Sequence, residues 1–288
     1  GMCFVPETPR WLLSKGRLKE CRKVLQKIEP ENTVNDLIGQ MEVEIEKDRN
    51  SAVGWRYLMQ PWLRTPLMIA VCIMFFQQFV GINTVIYYSP KIFLMAGFES
   101  TLSAIWTSVG IGIVNVVFTV ISLYLVDRIG RRKLYFIGLS GIAFSVLCLS
   151  ACFIYANQLG EIGRWLMVIF MFGYVAFFAI SIGPLGWLVI SEIFPQKVRG
   201  LGTSIGSLAV WIFNCIVSFT FFKIIDFFSI PGTEIVVGQT TSENPAGAFF
   251  LYGFIAVLGL VWGYLFLPET KGLSLEEIEQ KWRKNREC

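Results

Sequence analysis

The feature that most constrains the fold of this chain is a series of six long apolar segments that carry almost no charge. Each segment has at least the ~20 residues that a helix needs to cross a hydrocarbon layer about 30 Å thick. Backbone amides cannot stay unpaired in lipid, and no segment shows the alternation of a barrel strand, so the segments predict transmembrane helices. These helices are predicted at 65–90, 102–126, 134–157, 165–190, 202–222 and 246–267.

Composition agrees with a membrane protein and argues against most soluble classes. Only 16% of the residues are charged, against about 25% in an ordinary soluble domain. The sequence has no histidine, and its seven cysteines form no close CxxC pair, so neither a metal site nor a disulfide framework is predicted. Because it also has no phosphate-binding loop, catalytic triad or paired carboxylates, we expect no enzyme, no cofactor and no nucleic-acid partner.

Positive charges predict the orientation of the chain. Of the 25 lysines and arginines, 22 lie before the first span, after the second and fourth spans, or in the C-terminal tail. The positive-inside tendency therefore predicts that both termini are cytoplasmic, in a plasma membrane or bacterial inner membrane.

The predicted organisation has three parts, because apolar residues also recur at helical spacing before and after the spans. Its parts are the end of a preceding span with a cytoplasmic helical linker (1–64), a six-helix transmembrane domain (65–267) and an amphipathic tail helix (268–288).

The polar residues of the first span are the main candidates for a binding site. No charge lies near the centre of any span, which favours a pathway for an uncharged, hydroxyl-rich solute. Gln77, Gln78 and Asn83 each carry a carboxamide, which can donate and accept hydrogen bonds at once. On a straight helix Gln78 and Asn83 would lie about 140° apart, so they converge only if the helix is interrupted, as Gly81 would allow. Hydrogen bonding between helices is the alternative interpretation.

Four more side chains belong to the same argument, each with a structural alternative. Asn115 is a lone amide in the second span, and contact between helices explains it slightly better than ligand binding. Trp187 follows Pro184, which bends a helix, and Trp211 shares a face with Asn214. An indole can stack on a sugar ring while its N–H bonds a hydroxyl, but it can equally be a buried or interfacial side chain.

Charged residues at the predicted cytoplasmic ends of the spans form a second group of candidate functional residues. Such charges often only set the topology or form surface ion pairs of little energy. They can also form a network that holds a cytoplasmic gate during a rocking motion. The residues concerned are Glu7, Arg10, Asp127, Arg131, Arg132, Glu192 and Arg199.

A pentapeptide occurs twice, in the same context. The letters FVPET at 4–8 return as FLPET at 266–270, each time where an apolar run gives way to a charged segment. If each half of a two-part membrane protein ends in this way, we expect the chain to begin at the end of one half and to contain the whole of the next.

Several motifs resemble those of a known family. The loop DRIGRR at 127–132 resembles the D-R-x-G-R-R loop of the major facilitator superfamily. The strings PETPRW at 6–11, QQFVGIN at 77–83, GPLGW at 183–187 and PETK at 268–271 are similar to signatures of its sugar porter branch. The resemblance covers essentially the whole chain and implies an all-α membrane protein. Its expected architecture is the C-terminal six-helix half of a twelve-span fold, with an N-terminal six-helix half as the missing partner.

The resemblance also implies a function. It predicts transport of a neutral monosaccharide, a hexose or a pentose, by alternating access, with protons as the coupling ion of a symporter. The alternatives are a passive uniporter, a sugar sensor that does not transport, and a truncated inactive fragment. The charged residues named above match the family's cytoplasmic network, while Val210 stands where relatives often carry an amide. The implied sugar-binding residues are Gln77, Gln78, Asn83, Tyr87, Asn115, Gly183, Trp187, Trp211 and Asn214.

Overall fold

The fold divides into two compact units, Gly1–Tyr57 and Leu58–Cys288. It was obtained as a computed structural model. The structure describes residues 7–28, 30–50, 57–96, 100–195, 197–229, 235–237, 240–272, 277 and 282. Most of the predicted tail helix therefore lies outside the described residues.

The N-terminal unit is a small helical assembly. Its helices are α1 (Pro9–Ser14), α2 (Leu18–Leu25) and α3 (Glu31–Asn50). Thr8 caps α1, because its side chain accepts the amide of Trp11 at 3.4 Å, and Pro9 follows as the first helical residue. The apolar residues at helical spacing meet in one core, made of Leu12, Cys21, Leu25, Val34 and Ile38.

The second unit contains six segments long and apolar enough to cross a membrane, within the described residues. The predicted spans and the all-α fold class are thus confirmed. Two of the spans are each built from two helices. In chain order the elements are α4 (Arg64–Phe79), α5 (Ile82–Met95), α6 (Thr101–Ile129), α7 (Arg131–Ile154), α8 (Ala156–Ile180), α9 (Ile182–Ile193), α10 (Arg199–Phe227) and α11 (Ala246–Phe266).

The sequence analysis did not predict a short hairpin or the 3-10 turn at Pro61–Leu63 that precedes α4. Strands β1 (Ile235–Val237) and β2 (Thr240–Ser242) pair antiparallel, with Val236 opposite Thr241. The run of β-branched residues explains the preference for strands. The hairpin lies between α10 and α11, in the long loop that follows the fifth span.

Helix α7 packs closely against α8 and α11. A Cβ atom at Gly138 would overlap Ser181, and one at Gly263 would overlap the ring of Tyr135. Small residues at such positions let helix backbones approach closely, which is how helices associate in lipid. Helix α6 differs, because most of its apolar side chains are exposed, including Trp106 and Tyr124.

The first span is interrupted at Gly81, as predicted. Helix α4 ends at Phe79 and α5 begins at Ile82, and Gly81 between them has a φ of 87°, in the left-handed region that glycine tolerates. The ring of Tyr252 packs directly on Gly81, where a Cβ atom would overlap it. Both the dihedral angle and the packing therefore require glycine at this position.

The fourth span is interrupted too, but three residues before the predicted bend. Helix α8 ends at Ile180, Ser181 has φ −128° and ψ −101°, and α9 begins at Ile182. Pro184 lies in the first turn of α9, where a missing N–H costs little. In a continuous helix its ring would clash with the Ile180 carbonyl, so the backbone departs from helical geometry just before that turn.

Replacing Gly81 by alanine is expected to destabilise the protein. The left-handed conformation and the overlap with Tyr252 together predict a loss of more than about 2 kcal/mol in the free energy of unfolding. The matched control is Gly112→Ala on α6, where a Cβ atom meets open space; it should be neutral or gain about 0.5–1 kcal/mol. Denaturant unfolding in detergent measures both, and equal stabilities would contradict the account of the break.

Candidate functional site

A cavity of about 340 Å³ lies beside the two interrupted spans. This volume is within the range of small-molecule sites. The cavity is lined from α4, α5, α6, α8, α9 and α10. All nine predicted sugar-binding residues line it, although they come from four different spans: Gln77, Gln78, Asn83, Tyr87, Asn115, Gly183, Trp187, Trp211 and Asn214.

A chain of carboxamides crosses the wall of the cavity from the first span to the fourth. Asn83 Nδ2 donates to Gln78 Oε1 at 2.5 Å, and Gln78 Nε2 donates to Gln77 Oε1 at 3.5 Å. Gln77 Nε2 then donates to the carbonyls of Ile182 (3.1 Å) and Gly183 (2.6 Å). The break at Gly81 is what brings Gln78 and Asn83 together, since a straight helix would separate them.

The first turn of α9 is shaped to receive the Gln77 side chain. Gly183 supplies a carbonyl, and a Cβ atom at Gly186 would come within 3.2 Å of Gln77 Nε2. The absence of a side chain at Gly186 therefore leaves the amide the room it occupies. Trp187, which lies one helical turn after Gly183, is at the edge of the cavity, with 41% of its surface exposed.

Amides and hydroxyls on other helices also line the cavity, and they link α5 to α10. Asn214 Nδ2 donates to the Tyr87 hydroxyl at 3.3 Å, and the Ser218 hydroxyl donates to Asn214 Oδ1 at 3.1 Å. On α6, the Thr119 hydroxyl donates to the backbone carbonyl of Asn115 at 2.7 Å. The Asn115 carboxamide faces the cavity, so its position fits ligand contact as well as contact between helices.

The chemistry of the cavity is polar without being charged. None of its fifteen lining residues, among those described, is aspartate, glutamate, lysine or arginine. Three aromatic side chains at its rim stay accessible: Tyr87 is 53%, Trp187 41% and Trp211 65% exposed. Amides that bond hydroxyls, beside flat rings with a polar tip, suit a ligand that presents both hydroxyls and C–H surface.

Sequence reasoning missed some lining residues. Thr119 could have been found, because it lies four residues after Asn115 and so shares a helix face with it. Phe178 and Ala179 carry no such signal, since they are apolar residues within an apolar span. Val210, noted as a departure from the sugar porter pattern, does line the cavity.

The charged residues at the ends of the spans form a second cluster around Arg131. Its Nη2 and Nε atoms donate to the two carboxylate oxygens of Glu192 at 2.8 and 3.3 Å, and its Nη1 lies 3.2 Å from Asp127. Such paired contacts between an arginine and a carboxylate are strong and geometrically specific. The side chains of Arg131 and Glu192 are 12% and 21% exposed, whereas Asp127 is 75% exposed.

Glu269, which the predicted network did not include, is also bound into this cluster. Its carboxylate accepts the backbone amides of Arg131 (3.0 Å) and Arg132 (3.2 Å), the first two residues of α7. It therefore caps the positive end of that helix. Thr270 follows and donates its hydroxyl to Glu192 at 2.5 Å. The repeated FLPET string was the available signal, because its glutamate stands at the same place in both copies.

The other predicted members of the network are placed differently. Arg132 donates its guanidinium to the carbonyl of Tyr264 at 2.8 Å. Nε and Nη2 of Arg199 are buried and have no hydrogen-bond partner within the described part of the chain. Glu7 and Arg10 belong to the N-terminal unit, where both are exposed.

Neutralising Glu192 should weaken the cluster more than neutralising Asp127. Glu192→Gln leaves the partly buried Arg131 without its paired carboxylate, for an expected loss of about 1.5–3 kcal/mol in the free energy of unfolding. Asp127→Asn removes an exposed ion pair, for which at most about 1 kcal/mol is expected. Denaturant titrations of both variants in detergent give the comparison, and an equal loss for the two would refute the ranking.

Interrupted helices around a polar cavity inside a bundle of apolar spans are typical of secondary transporters. The family model described as "Sugar (and other) transporter" matches residues 1–282. The chain therefore belongs to this sugar transporter family, which confirms the family membership that the sequence motifs indicated. With its six long apolar helices, it is a membrane protein.

Individual relatives agree. The chain is 35% identical to the probable metabolite transport protein CsbC of Bacillus subtilis, over 99% of this chain and 58% of the relative. It is 34% identical to the D-xylose-proton symporter of Escherichia coli K12, over 96% and 53%. The chain thus spans little more than half the length of these relatives.

Among solved structures, the chain resembles the major facilitator superfamily proton:xylose symporter XylE bound to 6-bromo-6-deoxy-D-glucose. The TM-score is 0.71 at 33% identity, covering 96% of this chain and 55% of that chain. The likeness confirms the predicted architecture, in which the chain corresponds to about half of a transporter of this superfamily.

Proposed function

We propose that the protein containing this chain moves a neutral monosaccharide, a hexose or a pentose, across the plasma membrane by alternating access. The proposal rests on the uncharged polar cavity. Carboxamides and aromatic rings line it, and they come from both helices of the interrupted first span and from other spans. The relatives support the class of substrate, since one is a D-xylose-proton symporter and a similar structure holds a bromo-deoxyglucose. No chemical step on the sugar is involved.

In this proposal the carboxamides bond the sugar hydroxyls and the indoles cover its C–H faces. Asn83 donates one N–H to Gln78, and Gln78 donates one N–H to Gln77, which leaves each side chain a further N–H and free lone pairs for a ligand. Trp187 and Trp211 flank the cavity and offer stacking surfaces. Val210 contributes no hydrogen bond where other sugar porters often have an amide, so the sugar is held there by shape alone.

A facing N-terminal half of six helices completes the site in this proposal. The exposed rings of Tyr87, Trp187 and Trp211 would meet that half across the sugar, and alternating access is the rocking of one half against the other. We assign Glu7, Arg10 and Arg132, with the cluster around Arg131, to a network that holds the cytoplasmic gate. Arg199, whose Nε and Nη2 atoms are buried without a hydrogen-bond partner among the described residues, also belongs to the cytoplasmic network in this proposal.

We further propose that both termini are cytoplasmic, as the distribution of positive charges indicates. The linker at 1–64, the tail at 268–288 and the Arg131 cluster would then all lie on the cytoplasmic side of the membrane. In the sequence, the transmembrane domain at 65–267 separates the linker from the tail. The hairpin of β1 and β2 would lie outside.

Gln78→Ala should strongly reduce sugar uptake. It removes the central amide of the chain, and losing one or two hydrogen bonds to a neutral ligand predicts about a tenfold rise or more in the half-saturating sugar concentration. The control Gln158→Ala changes an exposed glutamine of α8 that does not line the cavity. Uptake of radiolabelled xylose and glucose by cells expressing the full-length protein is the measurement. Unchanged uptake by Gln78→Ala would reject the cavity as the sugar site.

We propose that sugar transport is coupled to protons, with passive uniport as the alternative. The uniporter is favoured by one observation, namely that no described residue lining the cavity can titrate as a carboxylate. A proton carrier would therefore belong to the facing half. If transport is a symport, dissipating the pH gradient of energised vesicles with a protonophore should abolish sugar accumulation while equilibration continues. Accumulation that survives this treatment would reject proton symport.

A further inference from the structure

Each of the two interrupted spans is held by a side chain from the other. Tyr174, on α8 of the fourth span, donates its hydroxyl to the carbonyl of Val80 at 2.8 Å, at the break of the first span. Gln77, on α4 of the first span, donates to the carbonyls of Ile182 and Gly183 at the break of the fourth. The two contacts are reciprocal, and we call them the reciprocal clasp.

The Val80 carbonyl needs a donor because of the break. In a continuous helix the amide of Thr84 would reach Val80, but here it donates to Gly81 at 3.1 Å. A carbonyl left unpaired in the middle of a membrane bundle is strongly unfavourable. Tyr174, which is completely buried, supplies the missing donor. The Thr84 hydroxyl donates in turn to the Gly81 carbonyl at 2.7 Å.

The placement of this carbonyl affects how the binding residues before the break are positioned relative to those after it. Gln78 stands before the break, whereas Asn83 and Tyr87 stand after it, on α5. Their relative placement therefore depends on the backbone at Val80 and Gly81. Tyr174 itself does not line the cavity, so any effect it has on a ligand passes through that backbone.

We propose that Tyr174 is a positioning residue for the sugar site. By holding the Val80 carbonyl it keeps Asn83 against Gln78, and together with Gln77 it ties the break of the first span to the break of the fourth, so that the two breaks shift together. The inference rests on the proposed sugar site, and it adds a residue that contacts no ligand.

The test is Tyr174→Phe in the full-length protein, with Tyr135→Phe as the matched control. Tyr135 is equally buried and also donates its hydroxyl to a backbone carbonyl, that of Gly259 at 3.0 Å, but within the uninterrupted helix α11. Each variant loses one oxygen atom and one buried hydrogen bond. We expect a larger fall in melting temperature for Tyr174→Phe, because it leaves the Val80 carbonyl unpaired, whereas the Gly259 carbonyl keeps its helical amide.

The variants should differ in sugar affinity. Tyr174→Phe is expected to raise the half-saturating concentration of xylose or glucose about threefold to tenfold, whereas Tyr135→Phe should change it less than about twofold. Hydrogen exchange without sugar gives an independent readout: the amides of residues 81–85 should exchange faster in Tyr174→Phe than in Tyr135→Phe.

The outcomes separate the two proposals. Equal affinities and equal exchange at 81–85 in the two variants would overturn the role of Tyr174. If the wild-type protein neither binds nor transports any monosaccharide, the proposed function fails, and the exchange comparison then decides alone whether Tyr174 holds the break. A difference in exchange without one in affinity would show that the clasp does not position the site, and would also overturn the inference.

Discussion

The membrane unit depends on one constraint: a backbone carbonyl inside lipid must find a donor. Two of its six spans are interrupted, and each interruption removes helical hydrogen bonds where water is scarce. Side chains replace them. Tyr174 donates to the Val80 carbonyl, and the Ser181 hydroxyl donates to the Phe177 carbonyl at 2.7 Å. The interruptions persist because specific partners satisfy the groups that they expose.

The polar cavity is a result of the same interruptions. Without the left-handed turn at Gly81, Gln78 and Asn83 would point to different sides of one helix, and no chain of amides could form. Gln77 extends that chain to the fourth span, where Gly186 leaves it space. The same side chains thus contribute both to the proposed binding chemistry and to the geometry of the helices.

Much of this was predictable from the sequence, and the rest depends on contacts between distant residues. Span length and hydropathy predict six helices, Gly81 among amides predicts the first break, and family motifs predict the nine residues that meet in the cavity. The second break falls at Ser181 rather than at Pro184, because proline is easily accommodated in the first turn of a helix. The repeated FLPET string marks Glu269, but not the helix that it caps, because the Arg131 amide lies 138 residues away in the sequence. Tyr174 carries no such signal, and its acceptor lies 94 residues away.

The amide chain has a direction, and this gives the cavity a polarity. Every link donates toward the fourth span, from Asn83 through Gln78 to Gln77 and the carbonyls beyond it. Donation through the N–H polarises each amide, so the oxygen of Asn83, at the start of the chain, becomes a stronger acceptor. In the proposed function, a ligand hydroxyl at this end would act as a donor of a hydrogen bond. If the cavity holds a sugar as proposed, replacing the hydroxyl that meets Asn83 by fluorine keeps nearly the same size but removes the donor, so the fluorinated sugar would bind more weakly.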